Sequence, residues 1–298
     1  MILNNIKINK LFIADLSLLI VAMIWGGGFV VTKNILNYMG PFYFLGIRFV
    51  SAALIIAIIF NKKLKKINYL TFKKGIIIGI FLFLGFATQT VGLIYTTPAK
   101  QSFITGINVV IVPFLYMLVT GNRVEKKAII GAVLASLGLS LISFQKGVFN
   151  FNFGDLLTLT CAFFYAAHIV SIGILVKKAD PINLTIVQLA FTGFVSLLIG
   201  IFTEPFSVDS IQFSSLIYMI ILGGVAAFLI QNVAQYYTFS THAAIILSLE
   251  SVFGAFFSWI FWDENISKFF IIGAILILTG IIITEYRTER RKIADNHD

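Results

Sequence analysis

DLSLLIVAMIW at residues 15–25 and GPF at 40–42 return as DLLTLTCAFFY at 155–165 and DPI at 180–182. At a shift of 140 residues, Asp15 falls on Asp155, Ala22 on Ala162, Trp25 on Tyr165 and Pro41 on Pro181. At a shift of 142, Phe86 falls on Phe228, Gln89 on Gln231, Tyr95 on Tyr237, Thr96 on Thr238, Gly131 on Gly273 and Gly138 on Gly280. Apolar stretches match by chance. Asp, Pro, Gln and Gly matching in order, with a change of only two in the offset, point to an internal duplication that divides the chain into residues 1–146 and 147–298.

Both copies are too apolar for water. The 298 residues are 59% hydrophobic and 12% charged, with 31 Phe, against about 25% charged in an ordinary soluble domain. Lipid accepts such side chains facing outward, so the class is membrane-embedded. The net charge of +9 is assigned to loops on one membrane face, because no basic run interleaved with aromatics marks a nucleic-acid surface. Cys161 is the sole cysteine and there are three His. No disulfide and no metal cluster is expected, and Cys161 reads as a small packing residue. The basic start (Lys7, Lys10) with its apolar run resembles a signal peptide, but no small-residue cleavage pattern follows; it reads as a retained first helix. No phosphate-binding loop appears, which excludes ATP-driven transport by this chain alone, and no cofactor is implied.

Splitting at charges, Pro and polar clusters leaves ten segments, roughly 12–33, 41–60, 74–96, 98–119, 127–145, 154–176, 181–202, 213–236, 241–261 and 268–285. Each approaches the 20 or so residues that a helix needs to cross the hydrocarbon. The turn near 236–241 must be very short, since only His242 and small polar residues interrupt it. Lys and Arg then fall seventeen to four on one side. The rich side holds Lys7 and Lys10, the run Lys62–Lys74, Arg123, Lys126 and Lys127, Lys177 and Lys178, and the tail with Arg287, Arg290, Arg291 and Lys292; the poor side holds Lys33, Lys100, Lys146 and Lys268. The positive-inside rule places both termini of this multi-pass protein in the cytoplasm. Five segments per copy is odd, so the second copy enters the membrane inverted. Its loops agree: the basic 61–74 answers to 203–212 with Glu204 and Asp209, and the basic 120–127 to 262–268 with Asp263 and Glu264. The expected fold is an all-α integral membrane protein of ten transmembrane helices in two inverted five-helix repeats. That plan is typical of alternating-access transporters, with a site at the midplane between the halves.

AMIWGGGFVVTK (22–33), PFYFLGIRFVSAAL (41–54), GLIYTTPAKQSFITGINVVIVPF (92–114), LSLESVFGAFFSWIFWDE (247–264) and IIGAILILTGIII (271–283) resemble the EamA-like family of the drug/metabolite transporter superfamily. The likeness spans nearly the whole chain. It implies ten helices, no enzymatic activity and movement of a small solute through the cell membrane, most often export of amino acids or related metabolites; relatives carry drugs or organic cations. Two departures stand out. Ser251 and Val252 follow Glu250 where many members have Pro nearby, and no acidic residue lies within the first span, where small multidrug relatives keep a coupling Glu. An integral membrane enzyme acting on a lipid-linked substrate is the competing class, with Asp263 and Glu264 as its nearest paired carboxylates.

Polar residues inside spans are the site candidates. Glu250 lies nine residues into its segment, about 14 Å deep, where an ionised carboxylate must pair, face water or take a proton. It is a candidate for a substrate ammonium group or for proton coupling; the bland reading is packing. Asn108 is its repeat partner. Arg48 could clamp a carboxylate or brace helices, and Lys100 could draw an anion or simply be a solvated helix end. His168 is a second proton-coupling candidate, or a plain hydrogen-bonding group. Trp25 and Tyr165 lie too deep for an interfacial belt and suit a cavity wall or the core. Gln89, Gln231 and Gln235 should face protein or a wet cavity, and Tyr95 sits near a span end. The run Gly26–Gly28 suits close packing or a hinge, and Gly131/Gly138 with Gly273/Gly280 suit helix packing. The expected partners are a small-molecule substrate, the bilayer and protons, for a monomer or homodimer.

Overall fold

The computed structural model describes residues 2–121, 126–142, 144–145, 148–206, 213–238, 240–264 and 266–285. Arg123, Lys146, Asp209 and the tail from Arg287 to Lys292 lie outside these residues, as do the side chains of Lys7, Lys10 and His242. In chain order the helices are α1 (Ile2–Ile35), α2 (Pro41–Ile59), α3 (Asn61–Leu64), α4 (Tyr69–Tyr95), α5 (Pro98–Gly106), α6 (Asn108–Thr120) and α7 (Lys126–Ile142), then α8 (Phe153–Leu175) and α9 (Pro181–Thr203). After these come α10 (Phe213–Ile220), a π-helical stretch (Ile221–Ala226), α11 (Ala227–Tyr237), α12 (Ser240–Ser248), α13 (Glu250–Phe261) and α14 (Lys268–Glu285). One two-residue antiparallel pairing, Phe144–Gln145 with Val148–Phe149, interrupts the helical chain between α7 and α8.

The helices start where the sequence supplies a cap. Pro opens α2, α5 and α9, where a missing N–H costs nothing. The Asn68 side chain accepts from Thr71, and Asn152 with Asp155 forms a reciprocal capping box on α8. The Asn68 cap starts α4 at Tyr69, five residues before the expected start at residue 74, so its second turn carries Lys73 and Lys74 ahead of the apolar part of the helix. Seven helical stretches among the described residues are long and apolar enough to cross a membrane, and Ile246–Phe261 and Lys268–Gly280 are shorter apolar ones. Ile58, Phe202, Leu118 and Phe213 are among the many large apolar side chains left on the outside, as a lipid-facing surface requires.

Three differences from the expected spans concern continuity. The segment 98–119 is two helices, α5 and α6, interrupted at Ile107; the segment 241–261 is α12 and α13, interrupted at Leu249; and 213–236 passes through a π-helical turn. Uniform hydropathy hides all three.

Small residues set the packing. α2 lies antiparallel on α9, with Gly46 against Leu197 and Gly193 against Val50; α4 lies antiparallel on α8, with Gly85 against Tyr165 and Gly92 against Gly154. α1 packs on α11, α12 and α13, α8 on α4 and α6, α5 on α13, and α7 on α14. The expected small-residue face of α7 and α14 is where those helices meet: a Cβ added to Gly138 would stand 2.5 Å from the Gly273 carbonyl oxygen. Gly138→Val is therefore expected to destabilise the fold by about 1–3 kcal/mol and lower the thermal midpoint of the detergent-solubilised protein. An unchanged midpoint would mean that α7 and α14 are not in close contact.

Candidate functional site

Both mid-span interruptions have the same local geometry. Ile107 sits at φ −61°, ψ −17°, and Leu249 at φ −62°, ψ −14°. At each, the hydrogen bonds tighten to three-residue spacing: Ile107 N to Ile104 O and Val110 N to Ile107 O in one, Leu249 N to Ile246 O and Val252 N to Leu249 O in the other. The first residue after each is polar, Asn108 opening α6 and Glu250 opening α13. The two broken helices cross there. Ser251 Oγ donates to Ser102 O at 2.7 Å and Ser102 Oγ donates back to Ser251 O at 3.2 Å. Ser251, which departs from the family pattern, thus supplies one strand of this cross-link. On the other flank Gly26 brings α1 against the same turn; a Cβ there would lie 2.9 Å from the Glu250 carbonyl oxygen and 2.5 Å from Phe253 Cβ. The glycine run in the first span is here a packing contact.

A cavity, partly open to solvent, forms where these elements meet. Glu250, Asn108, Arg48 and Trp25 line it, and so do Gln89, Tyr165, His168 and Gln231. An aromatic layer crosses its middle: the Trp25 and Phe228 rings are 5.2 Å apart, Tyr165 and Phe86 also 5.2 Å, and Phe86 and Phe228 6.0 Å. Arg48 is 2% exposed. Its Nη2 donates to Gly223 O at 2.9 Å, and its guanidinium lies 4.7 Å from the Phe49 ring and 4.8 Å from Phe86. Trp25 Nε1 donates to the same Gly223 oxygen at 3.2 Å. That carbonyl lies inside the π-helical stretch, where ladder geometry is loosened. Tyr165 donates to Gln89 Oε1 at 2.8 Å, and His168 Nε2 sits 2.8 Å from Gln188 Oε1. The Glu250 carboxylate, on a residue only 7% exposed, has neither hydrogen-bond nor ion-pair partner among the described residues.

Three candidates lie away from this cavity. Lys100 is buried in an ion pair with Asp155 at 2.6 Å and also donates to the Asn150 carbonyl. Tyr95 is exposed at the end of α4, edge-on to Phe153. Gln235 is buried and donates to Ile169 O at 3.1 Å. Conversely, Gln101, Thr32 and Thr90 line the cavity without having been singled out. Gln101 and Thr90 were legible as polar residues inside apolar segments; the Gly223 carbonyl left no side-chain signal beyond the pair Gly223–Gly224. Of the paired carboxylates, Glu264 is engaged with Thr97, Ser258 and the backbone N–H of Ala99. Among the described residues no group of three His, Cys, Asp or Glu could hold a metal ion.

Comparison with known proteins bears on this arrangement. The EamA-like transporter family matches the chain twice, at residues 12–144 and 152–286. An uncharacterized transporter of Archaeoglobus fulgidus is 37% identical over 279 residues, covering 93% of this chain and 87% of the relative. The uncharacterized transporter YyaM of Bacillus subtilis is 24% identical, covering 86% and 88%. A solved structure, titled only as the crystal structure of a protein, superposes with a TM-score of 0.70 at 15% identity over 93% of this chain and 98% of its own. That likeness is one of fold.

Four acidic groups join segments of residues 1–146 to segments of 147–298. Glu204 accepts from the N–H groups of Phe42 and Tyr43 at the start of α2, Glu264 from the start of α5, Asp155 from Thr96 and Lys100, and Asp180 from Lys63 at 2.6 Å. At the N-cap of α9, burial pushes the Asp180 carboxyl up, but Lys63 and the N–H groups of Asn183 and Ile182 outweigh it and hold the carboxyl below its usual range. The Lys100–Asp155 pair is the most deeply buried. Lys100→Met alone should cost about 3–5 kcal/mol by stranding a buried carboxylate, and adding Asp155→Asn should restore most of the thermal midpoint. Equal midpoints for the single and double variants would show that the charge of Asp155 does not depend on Lys100.

Proposed function

The chain belongs to the EamA-like transporter family, and we propose that it carries a small metabolite across the membrane by rocking two inverted five-helix halves about the central cavity. The observation that carries this reading is the pair of mid-span breaks. A helix interrupted in hydrocarbon survives only where its freed groups meet protein or a wet cavity. Discontinuous helices opening on polar residues at the junction of two halves are the usual makings of a transport site. Asn108 and Glu250 occupy equivalent positions in the two matched segments, 142 residues apart.

The packing supports an inverted repeat. Moving residue numbers by the offset exchanges the α4–α8 contact with that of α1 and α11, and the α8–α6 contact with that of α1 and α13; it maps α2–α9 and α7–α14 onto themselves. It also exchanges the Trp25–Phe228 and Tyr165–Phe86 ring pairs, at equal distances. With both termini placed in the cytoplasm by the lysine and arginine bias, the cavity runs from Glu250 and Arg48 outward to Thr32 and Leu93. Beneath it, Leu18, Val21, Ala166, Val170 and Ala243 form a close-packed apolar plug, so this geometry corresponds to the outward-facing half of the cycle.

Amino acid export, which the family resemblance implied, asks for one group to take the ammonium and another to take the carboxylate. Glu250 suits the first, or a coupled proton, with His168 as a secondary proton site. Arg48 and Lys100 were the choices for the second, and both are committed to protein acceptors.

In proteoliposomes screened against a metabolite panel with and without a pH gradient, we expect solute flux, reduced about tenfold or more by Glu250→Gln, the scale of one lost charge-assisted contact. Flux and pH dependence unchanged in that variant would remove Glu250 from the mechanism. Independently of substrate, spin-label pairs at Asn37 and Asp263 on one face and Lys66 and Lys178 on the other should show two distance populations that shift in opposite directions. A single fixed distance on both faces would rule out rocking.

A further inference from the structure

The two copies of the repeat differ at one lateral contact. Where α4 meets α8, the backbones touch: a Cβ added to Gly154 would stand 2.5 Å from the Gly92 carbonyl oxygen, and one added to Gly92 would stand 2.9 Å from that of Gly154. Tyr95 closes the end of this contact edge-on to Phe153, with ring centroids 5.8 Å apart. The offset that exchanges α8 and α4 with α1 and α11 carries Gly154 to Ala14, Gly92 to Ala234, Phe153 to Ile13 and Tyr95 to Tyr237. The methyl groups that the first contact has no room for are present in the second, and they keep α1 and α11 from the same backbone approach. A groove of about 370 Å³ opens there. Ala14 and Ala234, both buried, form its floor, and Ile13, Val233, Phe60 and Ile182 line its sides.

The groove follows α11 from Leu229 to Tyr237, about 12 Å of helical rise, against about 15 Å for the hydrocarbon of one leaflet. Ser17 Oγ within it already donates to Ile13 O at 2.7 Å, and the rest of its lining is apolar up to Tyr237 at the mouth. The walls therefore suit an apolar chain. The mouth is basic. Phe60 leads directly into Lys62, Lys63, Lys65 and Lys66, while Lys177 and Lys178 precede the start of α9 at Pro181. All of these except the half-buried Lys63 are exposed. Asp180, which accepts from the N–H of Ile182 at 3.0 Å, is neutralised by Lys63 at 2.6 Å. Asp15, next to Ala14 on α1, has its Oδ1 buried. An excess of positive charge is left at the rim, on the face that the lysine and arginine bias places in the cytoplasm.

We propose that this groove is a binding site for an anionic phospholipid of the cytoplasmic leaflet, with one acyl chain lying between α1 and α11 and the phosphate meeting the lysines beside Phe60 and Ile182. The chain is called for by the apolar floor and by the length of the groove, and the phosphate by the basic rim. A neutral lipid would leave those lysines unmatched. A second copy of this chain, in the same orientation in the membrane, would bring its own lysines to the same face. The groove shares no described lining residue with the central cavity, so the assignment does not depend on which solute that cavity carries.

The test is native mass spectrometry of the full-length protein in detergent, offered equal amounts of phosphatidylglycerol and phosphatidylcholine with identical acyl chains. Retained lipid should be phosphatidylglycerol by about fivefold or more, the scale of one lysine acting at a membrane surface. Replacing the exposed Lys62, Lys65 and Lys66 together by Gln should erase that preference while a lipid is still retained. Val233→Trp, at a wall position that is 40% exposed, should fill the groove and lower the occupancy of both lipids by a similar factor. Glycerol phosphate, which has the charge without the chains, should not displace the lipid. Equal retention of the two lipids, a preference unchanged in the lysine variant, or occupancy undiminished by Val233→Trp would each overturn the assignment. So would displacement by glycerol phosphate, which would mark a phosphate site only, or a doubled mass that Val233→Trp abolishes, which would make a second copy the occupant. If Val233→Trp does not fold, as its thermal midpoint would show, the surface lysine variant decides alone.

Discussion

A helix interrupted among apolar neighbours must have its main-chain groups satisfied within the protein, and this chain has two such interruptions, at Ile107 and Leu249. The rest of the structure is arranged around that liability. Tightened three-residue hydrogen bonds at Ile107 and Leu249 recover part of the ladder. The crossing of α5 with α13 recovers more through the reciprocal bonds of Ser102 and Ser251, and Gly26 lets α1 close over the same turn. The polar side chains that follow the two interruptions, Asn108 and Glu250, line the cavity.

Charge is distributed with the same economy. Asp155, Asp180, Glu204 and Glu264 each neutralise a lysine, a helix start or a hydroxyl across the two matched segments. These contacts lie near helix ends, where a carboxylate favours exposed N–H groups. Glu250 alone among the charged groups lining the cavity has no such partner. Arg48 is held differently, by one carbonyl and aromatic faces, so its guanidinium braces the cavity wall.

The sequence reading reached the all-helical membrane class, and several of the residues it singled out line the cavity, for reasons that can be named. Hydropathy and helical rise located the apolar segments, because lipid imposes a length. Matched positions paired Trp25 with Tyr165 and Phe86 with Phe228, and the crosswise contacts Trp25–Phe228 and Tyr165–Phe86 have the same ring separation of 5.2 Å. Polar side chains deep in apolar segments are rare enough to be noticed, so Glu250, Asn108, Gln89 and Gln231 were found. Lys100 was misleading because a lysine at a helix start looks solvated in one dimension, whereas Asp155 waits 2.6 Å away across the bundle.

By itself, then, the sequence determined that this is a helical membrane protein, where its apolar segments lie, and which polar groups are deep within them. All of these follow from local composition and from the thickness of lipid. Tertiary structure decided where the helices break, that Gly223 offers its carbonyl to both Arg48 and Trp25, and that Lys100 meets Asp155. Those outcomes depend on groups brought together from positions as much as 198 residues apart. No local pattern records whether a polar side chain, once inside, has found its partner.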